Sequence, residues 1–414
     1  MNFNQNRLHS ALIRKRRKEL KWKQESLIMS IPISLSYYSE IERGLRKIPE
    51  DLLAKLYSKL NLPYLSEDWY LIYSKKIELL KTYLYYCKHD DILTIYKELE
   101  EECKNLNNSL LFLDYQLVVF MYNSSISHIM DKKQIKLINE YTNYLSDEQK
   151  YIYELYRGIL EKYQHHPEKA FIIFKNLLDS NAKFRYYTEI LYYHSAICFI
   201  QKGFLVLAQN LNKEAEILFL KEGNMNRLAY TMMHEAIIYT QENHFSEADT
   251  IYDRLLITCK GLSSRTMNTI LCNAGLNCIK AKDYSKAISI YKQLKPGWQC
   301  LNGLHYGIAL TLLLSNENEK LNEFLEYSKK YHKNKFIKDM LDIIYLQNKP
   351  NQEKAIELKL KSCEKYLTRE GSRESMIFVY EQLIQYYETR SIVKQVKYLK
   401  KLNELNKRGM QYEQ

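Results

Sequence analysis

Residues 233–252 read MHEAIIYTQENHFSEADTIY, and the spacing of their small residues decides the fold of most of the chain. Ala236 and Ala248 are 12 residues apart, and the aromatic residue Tyr252 follows four positions later. The same 12-residue offset recurs in three other segments, as Gly158 with Ala170, Ala196 with Ala208, and Gly275 with Ala287. A constant offset that recurs four times predicts a row of similar helix pairs.

This pattern resembles the tetratricopeptide repeat, which places a small residue in the first helix and an alanine and an aromatic residue in the second. The alanines of the second helices are spaced by 38, 40, 39 and then 68 residues, at Ala170, Ala208, Ala248, Ala287 and Ala355. One degenerate pair, at 304–327, fills the long gap, and looser hairpins occupy 76–103 and 374–402. The resemblance implies roughly eight or nine pairs that form a right-handed α-solenoid with a concave inner surface.

The composition also favours helices. Only 11 Gly and 6 Pro occur in 414 residues, and sheets with tight turns normally need more of both. A chain of this length exceeds one compact core, so two or more units are expected. We therefore predict an all-α protein, with one domain at 1–66 and a repeat domain at 67–414.

Positive charge is concentrated at the amino terminus. Residues 1–62 contain 13 Lys or Arg against 6 acids, so they carry +7 of the formal net charge of +12. A small basic segment attached to a remainder with nearly equal numbers of basic and acidic residues is typical of a nucleic-acid-binding domain with a separate second function.

Helix signals divide this basic segment into four short helices. The first covers LHSALIRKRRKEL, and the second begins near Gln24 and stops before Pro32. Ser34 offers an N-cap hydroxyl for a third helix, which Gly44 ends. Pro49 opens the fourth. Short helices around a helix-turn-helix are a DNA-binding arrangement.

The segment resembles the Cro/C1-type helix-turn-helix domain. The residues that carry the resemblance are Arg14 to Lys18, Gln24-Glu25-Ser26-Leu27, Ile33-Ser34, Ser39 to Gly44, and Arg46 to Pro49. Three residues depart from the family pattern, namely Ile28 for a small alanine, Pro32 for the turn glycine and Tyr38 for an aliphatic residue. They suggest a changed angle between the second and third helices without loss of the fold.

The resemblance implies which side chains meet DNA. The third helix should lie in the major groove with Ser34, Leu35, Ser36, Tyr37, Ser39 and Glu40 toward the bases and Ile41 toward the core. Phosphate contacts are expected from Gln24, Arg43, Arg46 and Lys47. The run Arg14 to Lys18, taken alone, is expected to be a solvated basic face.

The first helices of the repeats contain a candidate peptide site. One repeat position is His194, His234 and Asn273 in three successive repeats, and such side chains can hydrogen-bond the main chain of an extended peptide. The neighbouring polar and aromatic residues are Tyr193, Tyr230, Gln241 and Thr269. The alternative for these positions is an ordinary solvated solenoid face.

No segment carries a catalytic, metal or cofactor motif, so neither an enzyme nor a cofactor is expected. His165-His166 precedes a proline in a loop and has no standard ligand spacing. The eight cysteines form no C-x-x-C pair, which favours structural thiols in a reducing compartment. The sequence shows no signal-peptide pattern and no apolar run long enough to cross a membrane, so a cytoplasmic protein is predicted.

The domain order resembles that of the RNPP peptide-pheromone receptors, which include the Rap, Rgg, NprR, PlcR and PrgX types. The family implies a cytoplasmic homodimer that binds operator DNA and a short signalling peptide, as a quorum-sensing regulator. Two alternatives stay open. One is a Rap-like switch that sequesters another protein, and the other is a mobile-element or phage repressor whose solenoid only dimerises.

Overall fold

A computed structural model describes residues 3–164, 166–259, 261, 264–294, 304–331, 335–370 and 373–410. Within these ranges the regular secondary structure is helical, and no β-strand occurs. The all-α prediction is therefore confirmed, with a helix-turn-helix followed by a helical solenoid.

The chain divides into two compact units. Unit 1 comprises Met1–Gln164 with Asp179–Phe184, and unit 2 comprises His165–Leu178 with Arg185–Gln414. The domain boundary predicted after residue 66 lies inside unit 1 and stays a prediction. We call residues 1–66 the head.

The head begins with four helices, α1 Phe3–Glu19, α2 Gln24–Ile28, α3 Leu35–Glu42 and α4 Glu50–Lys59. The Ser34 hydroxyl caps α3 by accepting a hydrogen bond from the backbone N–H of Tyr37, at 3.2 Å. Gly44 ends the α3 segment at φ +71°, a left-handed conformation that a residue without a Cβ adopts without strain. The buried side chains of Leu12, Leu27, Ile41 and Leu56 form its core.

The rest of unit 1 is also helical. Its α-helices are α5 Glu67–Tyr86, α6 His89–Glu101, α7 Cys103–Asn107, α8 Phe112–Tyr122, α9 Lys132–Glu140 and α10 Asp147–Tyr163. A π-helix at Asn123–Ser127 follows α8, and a 3₁₀ turn at Thr142–Tyr144 follows α9.

Unit 2 continues the helix pairs. Its helices are α11 Pro167–Asp179, α12 Tyr187–Lys202, α13 Leu205–Lys221, α14 Met225–Gln241, α15 Phe245–Thr258, α16 Ser264–Lys280, α17 Tyr284–Tyr291, α18 Leu304–Leu314, α19 Asn318–Tyr331, α20 Lys335–Gln347, α21 Glu353–Glu370, α22 Arg373–Glu388 and α23 Ile392–Met410. Contacts between alternate helices join α12 to α14, α14 to α16, α16 to α18 and α18 to α20. The first helices of successive pairs therefore lie side by side, as a solenoid requires.

Small residues hold the pairs together. Ala236 and Ala248 are fully buried, as are their counterparts Ala196, Ala208 and Ala287. At Gly275 a Cβ would lie 2.4 Å from the ring of Tyr291, so only glycine fits beneath that ring. Gly307 is similarly close to the Tyr291 hydroxyl, at 2.6 Å from an added Cβ. The predicted spacing thus reflects contact between helices.

The cysteines of the described residues are free thiols, and five of these seven are buried. Burial raises the pKa of Cys278 to about 11 and of Cys363 to about 12, so both thiols stay protonated and unreactive at neutral pH. Cys300 lies outside the described residues. In the part of the chain that the structure covers, no helix is both long and apolar enough to cross a bilayer.

Candidate nucleic-acid interface and inner-helix cluster

Helix α3 presents a polar surface outward. Leu35 and Ser36 are exposed at its start, and Tyr37, Ser39 and Glu40 are partly exposed along the same side. Ile41 is fully buried, as predicted. The helix therefore has the two faces that a recognition helix needs, one in the core and one available to base edges.

Behind this surface lies a buried ion pair. Arg17 on α1 donates two hydrogen bonds to the Glu42 carboxylate at the end of α3, from Nε at 2.5 Å and from Nη2 at 2.9 Å. Tyr38 donates to Glu42 Oε1 at 2.5 Å, and Gln24 donates to Glu42 Oε2 at 2.7 Å. Burial opposes ionisation of Glu42, but these hydrogen bonds outweigh it and hold its pKa below the usual value.

This network explains one departure from the family pattern. Tyr38 is fully buried, and its hydroxyl supplies a third donor to Glu42 where an aliphatic residue could supply none. The same network engages the amide nitrogen of Gln24, whose predicted phosphate contact stays a prediction. The role of Glu42 was missed from the sequence because a glutamate at a helix end gives no sign of burial.

The residues of the α3–α4 loop differ in their surroundings. Arg46 pairs with Glu40, and its guanidinium lies 5.3 Å from the centre of the Tyr37 ring. Arg43 and Lys47 are exposed, and the structure records no side-chain ion pair for either of them among the described residues.

The basic run on α1 is engaged within unit 1. Lys15 donates to the backbone oxygen of Asn107 at 2.7 Å, and Lys18 pairs with Glu140. Lys15 is 4% exposed and Arg17 is 9% exposed, so the expectation of a solvated run is wrong for both. Their aliphatic stems are covered by packing while each charged end reaches an oxygen acceptor.

A further contact joins α3 to the helices that follow the head. The Tyr144 hydroxyl, in the 3₁₀ turn, donates to the backbone oxygen of Glu42 at 2.5 Å. Arg7 reaches the backbone oxygen of the neighbouring Asn143. The carboxyl end of α3 is therefore fixed from both α1 and the 3₁₀ turn.

The first helices of unit 2 bring some of the predicted peptide residues together. The rings of Tyr193 on α12 and His234 on α14 are stacked, with centroids 4.7 Å apart and planes 19° apart. Tyr230 meets Tyr193 edge-on at 6.5 Å, and the Arg227 guanidinium lies 5.2 Å from the Tyr193 ring centre. We call Tyr193, Arg227, Tyr230 and His234 the inner-helix cluster.

Three of the four residues of this cluster are buried, and Tyr230 is partly buried. Tyr193, His234 and Arg227 are each less than 9% exposed, and His194 is 4% exposed. The Nδ1 atom of His234 lies 3.2 Å from Asn212 Oδ1, and Asn212 donates to the backbone oxygen of Thr231 at 2.8 Å. Arg227 and Asn212 were not singled out from the sequence, because neither occupies the repeat position that was compared.

The remaining predicted peptide residues are His194, Gln241, Thr269 and Asn273, and the ring of His194 meets that of Tyr193 edge-on at 4.8 Å. Asn273 on α16 donates to the backbone oxygen of Thr269 at 3.0 Å and to the Met233 sulfur at 3.2 Å. Thr269 is nearly buried, whereas Gln241 is partly exposed at the end of α14. A role for any of these residues in peptide binding stays a prediction.

Comparison with known proteins agrees with this architecture. Residues 13–65 match the helix-turn-helix family model HTH_3. No curated protein matches the chain in sequence.

Solved structures match over most of the chain. A Rap protein complexed with competence and sporulation factor has 14% identity and a TM-score of 0.66, covering 82% of this chain and 98% of that one. NprR in complex with its cognate peptide NprX has 17% identity and a TM-score of 0.62, covering 83% and 100%. The apo form of the quorum sensor NprR from B. thuringiensis has 18% identity and a TM-score of 0.59, covering 80% and 98%.

The resemblance predicted from the sequence is confirmed at the level of the fold. The chain carries a helix-turn-helix segment at its amino terminus and shares the helical fold of Rap and of the quorum sensor NprR.

Proposed function

We propose that the chain is a cytoplasmic DNA-binding transcriptional regulator, controlled by a short signalling peptide that binds the first helices of unit 2. The observation that carries the proposal is the combination of two features in one chain. A helix-turn-helix segment with an outward polar face on α3 is followed by a helical fold shared with NprR, which was solved with its cognate peptide NprX.

DNA binding is supported by the structure of the head. The ion pair of Arg17 and Glu42 and the bond from Tyr144 fix both the side and the end of α3, so the helix can enter a groove without rearranging. The exposed Arg43 and Lys47 would contact phosphates, which fixes orientation rather than sequence. Serines and Tyr37 on the outward face would meet base edges.

Peptide control is supported by the polar character of the first helices in unit 2. An extended peptide must satisfy its own amide groups, and the side chains of Asn273 and Gln241 could do so. Because the stacked rings of Tyr193 and His234 are buried, a peptide that reached them would exchange this stack for contacts to itself. Such an exchange gives the ligand different free energies in two solenoid conformations, which control of DNA affinity requires.

A homodimer is part of the proposal. Two heads related by a twofold axis would read two half-sites, whose spacing the rest of the chain sets. A peptide that changes this spacing changes the affinity for an operator of fixed length.

The test is binding of the purified full-length chain to a duplex from its own upstream region, followed by fluorescence anisotropy. The titration is run with and without short synthetic peptides encoded next to its gene. Affinity that changes at least several-fold with one peptide supports the proposal. Tight binding to the duplex, with an affinity that no peptide changes, would instead indicate a plain repressor whose solenoid dimerises.

A second candidate function is sequestration of another protein, which the similarity to a Rap protein favours. It predicts that the full-length chain captures a protein partner from its own cell lysate and that peptide releases it. If the captured complex is indifferent to operator DNA and no duplex is bound specifically, this second function replaces the first.

A further inference from the structure

The loop after α3 holds its arginine in a fixed place. Asn6 on α1 is 3% exposed, and its side chain forms hydrogen bonds to the loop backbone on both sides of Lys47. Its Nδ2 atom donates to the backbone oxygen of Arg46 at 2.8 Å, and its Oδ1 atom accepts from the backbone N–H of Ile48 at 2.8 Å. The backbone that carries Arg46 is therefore anchored to the core of the head.

The side chain of Arg46 is held by the recognition helix itself. Its Nε donates to the carboxylate of Glu40, and its guanidinium lies 5.3 Å from the centre of the Tyr37 ring. Tyr37 and Glu40 are three residues apart, so they share one face of α3. Arg46 thus lies against the outward face that would meet the bases.

This arrangement is poorly suited to a phosphate contact. Attraction to phosphate depends on net positive charge, and the negative charge of the Glu40 carboxylate offsets the positive charge of Arg46. Reading a base depends on geometry instead, because guanine presents its O6 and N7 acceptors to a planar pair of donors. With Nε bound to Glu40, the two Nη atoms of Arg46 are left at the free end of the guanidinium.

We propose that Arg46 reads a guanine in the major groove, with Glu40 and Tyr37 as the positioning residues that aim it. The inference rests on the proposed DNA binding and assigns Arg46 a base-reading role instead of the phosphate role predicted from the sequence. The exposed Arg43, at the carboxyl end of α3, keeps the phosphate role and provides a matched control.

The experiment begins with selection of preferred duplexes from a randomised pool by the purified full-length chain. Anisotropy titrations then compare the selected duplex with variants that replace each guanine in turn. We expect Arg46→Ala to remove the preference at one guanine in each half-site, a loss of roughly 5- to 140-fold in discrimination. Arg43→Ala should lower affinity by a similar factor on every duplex.

A guanine analogue sharpens the test. Replacing that guanine by 7-deazaguanine removes the N7 acceptor, so it should weaken the wild-type chain and leave Arg46→Ala unaffected. If Arg46→Ala instead weakens all duplexes equally, Arg46 contacts phosphate and the inference is overturned.

The positioning role has its own test. Glu40→Gln should reduce the guanine preference of the wild-type chain but leave the relative affinities for the different duplexes unchanged in the Arg46→Ala background. An effect that persists there means that Glu40 contacts a base itself, which overturns its assignment. If the wild-type chain selects no sequence at all, the proposed DNA-binding function fails together with this inference.

Discussion

The head and unit 2 differ in how completely their buried polar groups are hydrogen-bonded. The head buries charges, and each oxygen of the Glu42 carboxylate accepts hydrogen bonds from two donors, shared among Arg17, Tyr38 and Gln24. Unit 2 includes buried neutral groups without a recorded partner, such as the Tyr291 hydroxyl and the Asn268 amide nitrogen.

The difference indicates how much loss of hydrogen bonding each part of the chain tolerates. A buried ion pair is stable only with all its partners in place, so the head is held in one arrangement. A neutral group costs less than a charge when its hydrogen bond is lost, so a contact such as that of Asn212 in unit 2 can be exchanged more easily. Rigidity suits the proposed DNA-binding surface, and exchange of partners suits the proposed ligand site.

The largest expected effect comes from removing one half of the buried pair. Arg17→Ala leaves the Glu42 carboxylate buried without its main partner, which should cost about 3–5 kcal/mol in the local stability of the head. Hydrogen exchange followed by mass spectrometry should show faster exchange in α1 and α3. Arg16→Ala, on the more exposed side of the same helix, is the control, and equal effects for the two variants would contradict the comparison.

The same substitution should act oppositely in the two regions. Tyr38→Phe removes a hydrogen bond to a buried carboxylate and should cost about 1.5–3 kcal/mol. Tyr291→Phe removes a buried hydroxyl without a recorded partner, so it should be neutral or stabilising by about 1 kcal/mol. Local opening free energies from hydrogen exchange in α3 and α17 measure both, and two losses of equal size would refute the contrast.

In unit 2, adding a methyl group to a close helix contact should cost more stability than removing a buried hydroxyl without a recorded partner. Gly275→Ala places a methyl 2.4 Å from the Tyr291 ring, and the overpacking should cost about 1–3 kcal/mol in α16 and α17. Gly261→Ala is the control, because an added Cβ meets nothing within 4 Å there. Combining Gly275→Ala with Tyr291→Leu should recover much of the loss in protection, and no recovery would mean that another contact decides it.

The smallest effect concerns pH and is confined to the head. Burial lowers the pKa of His9 to about 4, while its Nδ1 atom lies 2.7 Å from the Tyr57 hydroxyl. The unfolded state binds the proton more readily, so stability is complete above about pH 6.5 and falls as the pH drops toward 4. We expect a loss of about 1 kcal/mol by pH 5 in α1 and α4, since the half-buried ring is partly screened by solvent. His9→Leu should flatten this change.

Repeat spacing carried most of the fold prediction. Fixed offsets of small residues report helix contacts directly, which is why Ala236, Ala248 and Gly275 were placed correctly. The ends of α3 could also be predicted from the sequence, because Ser34 and Gly44 act within one helical turn of their own position.

Long-range partners could not be predicted from local pattern. Lys15 and Asn107 are 92 residues apart, and Glu42 and Tyr144 are 102 apart, so no periodicity links them. Burial of His234 was missed for a related reason. The repeat position places it on a first helix, but the neighbouring helix decides whether Tyr193 covers it.

The engagement of the α1 cations has a consequence for the ions around DNA. Within unit 1, five of the six Lys or Arg on α1 donate to acceptors, namely Arg7, Lys15, Arg16, Arg17 and Lys18. Each phosphate neutralised by a protein cation releases about 0.9 of a counterion, and an engaged cation releases none. A head whose charge count suggests about 12 released ions should therefore release at most about 7. The proposed binding to DNA would therefore persist at salt concentrations that dissociate a protein of equal charge whose side chains are not engaged.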